Sequence, residues 1–295
     1  MTGHVRAVLL SFLSFFLSAS AVAQNSPPLR WLVPAYENPC CFAGPAMWST
    51  LIAMAQTRPD ELAVIFNPDS GPGASPIDPN YVGTNGQGPL RTLLQAQAPV
   101  VGYVYTSDAT RDPALVRADI ARYYNSAYWR GLALRPDGVF FDNVSPDLAN
   151  VGYYRNLVAY LRTFDANALA IGNPGITGMT NPTNQTTYTV ADYGALFDVV
   201  VAREDYDTQF NHGYVAPAWL GAPNAAALGF IVHSATTPMR IRVAMSRAFA
   251  RGARWLYVTD DVLAHAQDNP YDVLSTYWTT QIALVGDLLF TDHLD

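Results

Sequence analysis

The segment Gly138-Val139-Phe140-Phe141-Asp142 decides the fold. It is a short apolar run that ends in a carboxylate and lies between two stretches with a helical pattern. The stretches before and after it, Asp112–Tyr124 and Asp147–Phe164, place apolar residues at helical spacing. A short apolar run between two helices is typical of a parallel strand that is buried on both faces. The segment therefore predicts one unit of a repeating strand–helix fold.

The same kind of run recurs along the chain. The predicted strands are Trp31–Tyr36, Leu62–Asn67, Val100–Thr106, Gly138–Asp142, Leu169–Asn173, Val199–Glu204, Leu228–His233 and Trp255–Asp260. Further helices are predicted at Thr237–Arg251 and Pro270–Gly286, and the pattern is least regular after the fifth and sixth strands. Eight strands that alternate with helices favour a single-domain (β/α)8 barrel over an open doubly wound sheet. No G-x-G-x-x-G follows the first strand, which argues against a dinucleotide site.

The amino-terminal stretch Met1–Ala23 is typical of a secretory signal peptide. A weakly basic start precedes the apolar run Ala7–Leu17 and the small-residue end Ala21-Val22-Ala23. That run is shorter than the roughly 20 residues that a membrane span needs, although an uncleaved anchor is the alternative. We expect cleavage before Gln24, a barrel over residues 24–295, a secreted or periplasmic location, and no membrane attachment afterwards.

Composition excludes several classes of function. Half of the residues are apolar and 14% are charged, which predicts a folded domain with a large core rather than disorder. The net charge of −7 with no basic run argues against nucleic acid as a partner. The chain has no lysine, so Schiff-base and pyridoxal-phosphate chemistry are excluded. The five histidines are scattered without ligand spacing, so we expect neither a metal nor another cofactor.

Polar residues gather where the predicted strands end, which is where barrel enzymes place their active sites. The candidate substrate-binding residues are Tyr36, Asn67, Tyr103, Tyr105, Asn143, Asn173, Tyr206, His233 and Asp260. Asp142 and Glu204 supply the two carboxyl groups that glycoside hydrolysis requires, one to protonate the leaving oxygen and one to attack or to activate water. Amides and tyrosines suit sugar hydroxyls and ring faces, so this set predicts a polysaccharide hydrolase.

Each candidate also has a structural interpretation. Asp142 could cap a helix or join a salt bridge, and Glu204 could pair with an arginine, in which case Glu37 is the best substitute. His233 could be a hydrogen-bonded core residue, and Tyr103 could serve packing alone. Asp260, with Asp261 beside it, could bind an amino sugar or cap the next helix.

The two cysteines, Cys40 and Cys41, are adjacent. In an exported protein they are expected to be oxidised, either as a vicinal disulfide or in bridges to another chain. Because they follow the first predicted strand, they should lie in a loop on the substrate side of the barrel. There a vicinal disulfide would stiffen the loop, and it would either present an apolar surface to a sugar ring or act only as a tie.

At these motifs the chain resembles the spherulation-specific family 4 proteins, which are grouped with glycoside hydrolase family 135. The matching segments are Val33-Pro34-Ala35-Tyr36, Asn67-Pro68-Asp69-Ser70-Gly71-Pro72-Gly73, Gly102-Tyr103-Val104-Tyr105-Thr106, Gly138-Val139-Phe140-Phe141-Asp142, Asn173-Pro174-Gly175 and the strand ending at Glu204. They occur in order from about residue 31 to 206, and the Asn67–Gly73 segment is the most specific.

The resemblance implies a (β/α)8 barrel that hydrolyses α-1,4-linked galactosamine and N-acetylgalactosamine polymers such as galactosaminogalactan by endo action. It maps the catalytic carboxylates onto Asp142 and Glu204. A partly deacetylated polymer is cationic, which an acidic protein would attract. The family often has Asp-Glu at the fourth strand end, where this chain has Asp142-Asn143. That difference leaves three hypotheses open: a retaining hydrolase, a degenerate barrel that binds polysaccharide without cleaving it, or a structural surface protein.

Overall fold

Eight parallel strands close into a barrel in the computed structural model, which describes residues 29–176, 178–180, 187–189, 191–210, 226–265 and 268–291. The predicted signal peptide lies outside the described residues. The barrel strands are β1 (Arg30–Ala35), β2 (Leu62–Phe66), β3 (Val100–Tyr105), β4 (Gly138–Asp142), β5 (Leu169–Gly172), β8 (Val199–Tyr206), β9 (Ala227–His233) and β10 (Trp255–Val258). Each pairs in parallel with its neighbours along the chain, and β1 pairs with β10 to close the ring. The predicted fold class is confirmed.

Helices cover the outside of the barrel. They are α1 (Gly44–Thr57), α2 (Pro79–Val82), α3 (Pro89–Gln95), α4 (Pro113–Tyr123), α5 (Val151–Phe164), α6 (Asp207–Phe210), α7 (Pro238–Ala250) and α8 (Trp278–Thr291). Several begin with a cap and a proline in the first turn, as in α4, where the Asp112 carboxylate accepts from the backbone N–H of Ala114 at 2.8 Å. No described helix is long and apolar enough to cross a membrane.

Two predicted helices differ from the structure. After β5, the described residues form an antiparallel hairpin of β6 (Gly178–Thr180) and β7 (Thr187–Thr189) and a 3-10 segment at Ala191–Ala195. The last helix begins at Trp278 rather than at Pro270, because the preceding residues form an irregular segment that is bonded to the end of β10. The pattern of apolar residues could not show this tertiary contact.

The register of the strands fixes which residues face the barrel interior. A Cβ atom on Gly102 would lie 2.6 Å from the ring of Tyr123 in α4, so position 102 faces the helices. Since side chains alternate along a strand, Tyr103 and Tyr105 face inward. Tyr105 is in register with Asp142 of β4, which therefore also faces inward.

A β-bulge in β8 turns Glu204 toward the same interior. Val201 pairs with Gly229 and Arg203 pairs with Phe230, so Ala202 is an extra residue with no partner on β9. An extra residue shifts the alternation of side chains by one position. Glu204 therefore lies on the inward side with Val201, whereas strict alternation would have turned Arg203 inward.

Candidate active site

The side-chain amide of Asn173 bridges Asp142 and Glu204 at the carboxyl end of the barrel. The Asn173 side chain donates from Nδ2 to Asp142 Oδ1 at 2.8 Å and to Glu204 Oε2 at 2.5 Å. The two carboxylate oxygens therefore lie at most about 5.3 Å apart, the length of the two hydrogen bonds laid end to end (2.8 Å and 2.5 Å). Carboxyl groups about 5–5.5 Å apart are typical of retaining glycosidases, and inverting enzymes need about 6.5–9.5 Å.

Asn173 is held in place by the backbone around it. Its N–H donates to the carbonyl of Phe141 at 2.8 Å, and its carbonyl accepts from Val144 N–H at 3.0 Å. Its side chain is buried, with Oδ1 lacking a hydrogen-bond partner. The side chain thus bridges the two carboxylates in a fixed orientation, since only its amide nitrogen can donate to them.

Three tyrosine side chains surround the pair. Tyr103 donates its hydroxyl to Asp142 Oδ2 at 2.6 Å, and Tyr271 donates its hydroxyl to Glu204 Oε1 at 2.5 Å. The ring of Tyr36 contacts both of them edge-on, with centroid distances of 5.6 Å to Tyr103 and 5.7 Å to Tyr271. Burial and the nearby carboxylates raise the pKa of all three phenols, so they stay protonated and can act as donors.

Tyr271 is the site residue that the sequence did not reveal. It lies beyond β10 in the segment that leads to α8, 11 residues past the predicted strand end at Asp260 (271 − 260). Its backbone carbonyl accepts from Tyr36 N–H at 3.4 Å, which joins this segment to the end of β1. The sequence pattern placed Tyr271 in the first turn of the predicted helix Pro270–Gly286, so it gave no signal that this hydroxyl reaches the site.

Burial and the neighbouring donors set the pKa of each carboxyl group. The pKa of Glu204 is raised to about 7, first by burial and then by the charge of Asp142, while hydrogen bonds from Tyr271 and Asn173 oppose the shift. Burial also raises the pKa of Asp142, against the hydrogen bonds that it accepts from Tyr103 and Asn173. With a pKa of about 7, Glu204 can hold a proton near neutral pH, as the catalytic acid of a glycosidase requires.

Neither carboxylate has the structural role that was the alternative. Arg203 forms its ion pair with Asp205 at 2.8 Å rather than with Glu204. The Asp142 carboxylate is bonded by two side chains of the site and not by a helix terminus. Glu37 accepts at Oε1 from the N–H of Asn38 and contributes nothing to the hydrogen bonds described around the pair.

Asn143 lies at the mouth of the barrel, directly after β4 ends. It is exposed and adopts a left-handed backbone conformation with φ of 48°. Its carbonyl accepts from Asp108 N–H at 2.8 Å and from the Thr106 hydroxyl at 2.7 Å. The left-handed turn releases position 143 from strand alternation, so its side chain need not point away from the interior.

Two of the predicted binding residues support loops or lie at the rim. Asn67 accepts at Oδ1 from the N–H of Gly71 at 2.9 Å, which closes the Asn67–Gly73 loop. Tyr105 is partly buried, and its carbonyl accepts from Arg111 at 2.8 Å. Their roles in binding substrate remain predictions.

Tyr206 and His233 form a separate pair on β8 and β9. Their rings lie 4.4 Å apart, with Tyr206 half-exposed and His233 buried. His233 contacts the Ser234 hydroxyl through Nδ1 at 3.0 Å, and burial lowers its pKa, which favours the neutral ring. His233 therefore has the features of a hydrogen-bonded core histidine, and Tyr206 is the member of the pair that substrate could reach.

Asp260 caps the segment before the last helix. Its Oδ1 accepts from the Ser275 hydroxyl at 2.8 Å and from the N–H of Thr276 at 2.9 Å, and its Oδ2 accepts from the Thr276 hydroxyl at 2.5 Å. Because both oxygens are bonded to one neighbouring segment, Asp260 has the structural role that was the alternative to binding an amino sugar. Asp261 lies beside Asp272, and its pKa is raised by burial and by that carboxylate.

Cys40 and Cys41 form a disulfide with each other in the loop between β1 and α1. The loop leaves the barrel directly after Tyr36, so it lies on the same side as the carboxylate pair. In the part of the chain that the structure describes, no cluster of three or more His, Cys, Asp or Glu side chains is arranged to hold a metal ion.

A closed (β/α)8 barrel with two bridged carboxylates at its carboxyl end has the architecture of the glycoside hydrolase barrels. The chain belongs to spherulation-specific family 4, whose family model matches residues 30–285. It is similar to Spherulin-4 of Physarum polycephalum, with 27% identity over 274 residues that cover 90% of this chain and 73% of the relative.

Solved structures share the fold. Aspergillus clavatus Sph3, crystallised in complex with GalNAc, superposes with a TM-score of 0.69 at 22% identity, covering 88% of this chain and 98% of Sph3. Another solved structure, a glycoside hydrolase, superposes with a TM-score of 0.50 at 9% identity, covering 92% of this chain and 71% of that enzyme. At these identities the comparison establishes the barrel fold.

Proposed function

We propose that this protein is an exported glycoside hydrolase that cleaves α-1,4-linked polymers of N-acetylgalactosamine and galactosamine within the chain, with retention of configuration. The observation that carries the proposal is the Asn173 amide, which brings Asp142 and Glu204 within the separation of a retaining pair. The substrate class is supported by family membership and by the GalNAc bound to the Sph3 relative. Export rests on the sequence of residues 1–23.

In the first step, the Glu204 carboxyl gives its proton to the glycosidic oxygen as the bond from that oxygen to the anomeric carbon breaks. The Asp142 carboxylate attacks the same carbon and forms a glycosyl ester. Tyr103 and Asn173 favour the ionised form of Asp142 by donating hydrogen bonds to its two oxygens.

In the second step, the ionised Glu204 takes a proton from water as the water oxygen attacks the anomeric carbon. The ester bond to Asp142 breaks, and both carboxyl groups return to their starting states. Tyr271 holds Glu204 through Oε1, which leaves the carboxyl group oriented for both transfers.

The test is release of reducing ends from a partly deacetylated α-1,4-galactosamine polymer. Asp142→Ala and Glu204→Ala should each lower the rate by at least about 10³-fold, because each removes one half of the chemistry. Glu61→Ala is the matched control, since Glu61 precedes β2 at the opposite end of the barrel and pairs at the surface with Arg58. Equal rates for the wild type and the Asp142 and Glu204 variants would overturn the mechanism.

A second candidate function is polysaccharide binding without cleavage, which Asn143 favours because it occupies the position of a frequent family glutamate. In that case the wild type binds the polymer and releases no reducing ends. Asn143→Glu then becomes the informative variant. Activity that appears only in this variant would show that the barrel is a binding protein derived from a hydrolase.

A further inference from the structure

The loop between β1 and α1 carries an unusually exposed aromatic side chain. Phe42 follows the Cys40–Cys41 disulfide and is 95% exposed, whereas the next most exposed of the large apolar side chains described, Met239, is 68% exposed. An apolar ring in water is unfavourable for the isolated protein, although single exposed apolar residues are common. Exposure alone therefore does not indicate a role for Phe42, and such a role has to be inferred from how its backbone is held.

The backbone of this loop is fixed by several contacts. Asn38 donates from Nδ2 to Asp78 at 2.9 Å, and its carbonyl accepts from Cys41 N–H at 3.1 Å. Trp48 of α1 donates from Nε1 to the Glu37 carbonyl at 2.9 Å. Phe42 is thus presented on an anchored turn rather than on a free loop.

The conformation of Phe42 is unfavourable for its residue type. Its φ is 47°, in the left-handed region that glycine or asparagine adopts readily and that a bulky side chain rarely adopts. Such outliers cluster at ligand-binding segments, where the surrounding structure holds them. Glycine here would relieve the strain and would remove the exposed apolar ring, so Phe42 is unfavourable on both counts.

The disulfide adds to the apolar surface beside the ring. Sulfur atoms that are bonded to each other are weakly polar, and the bond ties two adjacent residues into one rigid unit. Phe42 and the Cys40–Cys41 pair therefore form a small fixed surface with an aromatic face. We call this unit, residues 40–42, the Phe42 turn.

The Phe42 turn lies at the same end of the barrel as the carboxylate pair, in the loop that follows β1. The loop begins at Tyr36, whose ring contacts Tyr103 and Tyr271, the two hydroxyl donors to the pair. A polymer chain that crosses the mouth of the barrel toward β1 would run over the loops at this end, of which the Phe42 turn is one. The turn therefore shares the substrate end of the barrel with the site and takes no part in the hydrogen bonds around the carboxylates.

We propose that the Phe42 turn is an outer subsite that stacks one pyranose ring of the bound polysaccharide. The C–H face of a pyranose is apolar, and the electron-rich face of a phenyl ring attracts the partly positive hydrogens of that face. The inference rests on the proposed function, since it assigns one more sugar position to the same cleft. It predicts that the turn contributes to binding of long chains and contributes nothing to binding of a single sugar.

The test compares two ligands in a Glu204→Gln background, in which the polymer is not cut during titration. Phe42→Ala should weaken binding of the α-1,4-galactosamine polymer by about five- to tenfold and leave the affinity for free N-acetylgalactosamine unchanged. Phe42→Trp should restore polymer binding. Met239→Ala is the matched control, because it removes another exposed apolar side chain, from α7, and should change neither affinity.

Two further variants test how the ring is presented. Phe42→Gly should weaken polymer binding as Phe42→Ala does, yet raise the thermal midpoint because glycine accepts the left-handed backbone. Replacement of both Cys40 and Cys41 by serine should weaken polymer binding about two- to threefold, since the ring remains but its support is looser.

The outcomes separate this inference from the proposed function. If the parent binds the polymer and Phe42→Ala binds it equally well, the subsite is wrong and the proposed function stands. If Phe42→Ala weakens binding of the polymer and binding of the monosaccharide alike, the ring acts at the central site and the assignment of an outer subsite is wrong. If the parent does not bind the polymer, the proposed substrate fails and the inference fails with it. A change only in self-association would identify the Phe42 turn as a contact between copies of the chain.

Discussion

Two parts of the barrel mouth carry acidic side chains at strand ends, and these carboxylates have different hydrogen-bond partners. At the ends of β4 and β8, the side chains that donate to Asp142 and Glu204 come from separate elements, namely Tyr103, Asn173 and Tyr271. The one backbone donor to Asp142 is the N–H of the adjacent residue Asn143. At the end of β10, Asp260 accepts from a backbone N–H and two hydroxyls of a single segment.

The difference shows how a functional carboxylate can be told from a structural one. A carboxylate that satisfies backbone donors of the next segment acts as a cap, and its removal exposes those donors. A carboxylate held by side chains from several strands is oriented without stabilising any one segment. The position at a strand end is the same in both cases, so the partners distinguish the roles.

The strongest test of this comparison is Asn173→Ala set against Asp260→Ala. Removing the bridge should lower kcat for the polymer about 10²-fold, as loss of one oriented donor does in other sites, with little change in KM. The acid limb of the pH profile should also move to higher pH, because the Asn173 hydrogen bonds lower the pKa of both carboxyl groups. A purely structural asparagine would not produce that shift.

Asp260→Ala should behave in the opposite way. Its loss leaves the Thr276 N–H and two hydroxyls without their acceptor, so unfolding should become easier by about 1–2 kcal/mol while kcat changes less than about threefold. Thermal melts and initial rates on the same preparations measure both. If Asp260→Ala lost activity without losing stability, the distinction drawn from hydrogen-bond partners would be wrong.

The barrel itself was predictable from the sequence because parallel strands buried on both faces appear as short apolar runs. The run Gly138–Asp142 has the same bounds in the structure, and the helix predicted at Asp112–Tyr124 spans Pro113–Tyr123. The helix Gly44–Thr57 was not predicted. Apolar and small residues lie on most of its sides, so it offers no contrast between faces for a periodic pattern to show.

The site was only partly predictable. Strand ends bring Asp142, Asn173 and Glu204 to one end of any barrel with this strand order, so the sequence was enough to predict that these three residues lie near one another. The orientation of Glu204 was not predictable from the sequence. If side chains alternated strictly after Val201, Arg203 would face inward, and only the bulge at Ala202 turns Glu204 inward instead. Tyr271 reaches the site through the tertiary placement of a loop, for which local patterns carry no information.

The pH dependence of hydrolysis tests the two halves of the carboxylate pair separately. Glu204 must be protonated in the first step, so kcat/KM should fall about tenfold per unit above pH 7, where its pKa of about 7 is passed. At low pH the rate should fall as Asp142 gains a proton, at a pH above the ordinary range of an aspartate because its pKa is raised by burial. A profile that stays flat from pH 6 to 9 would contradict the role of Glu204 as the acid.

The last expected effect concerns stability at the site and has the opposite sign to the one expected for Asp260→Ala. The pKa of Glu204 is about 7 in the folded protein and near 4.3 in an unfolded chain, so the folded state holds the proton to higher pH. Stability should therefore be lost as pH rises between these values, and above pH 7 the folded protein carries the full cost of a desolvated charge. Glu204→Gln removes that charge and keeps an acceptor for Asn173. At pH 8 it should stabilise the protein by about 1–2 kcal/mol, or roughly 2–6 °C in the thermal midpoint.

The same variant should show no gain at pH 4, where Glu204 is protonated in both states and resembles glutamine. Glu61→Gln is the matched control and should show no gain at either pH, since Glu61 lies near the surface beside Arg58. A gain that persists at pH 4 would point to better packing rather than to relief of a buried charge. A gain confined to high pH would mean that the protein retains Glu204 at a cost to its own stability, which a catalytic acid explains and a structural residue such as Asp260 does not.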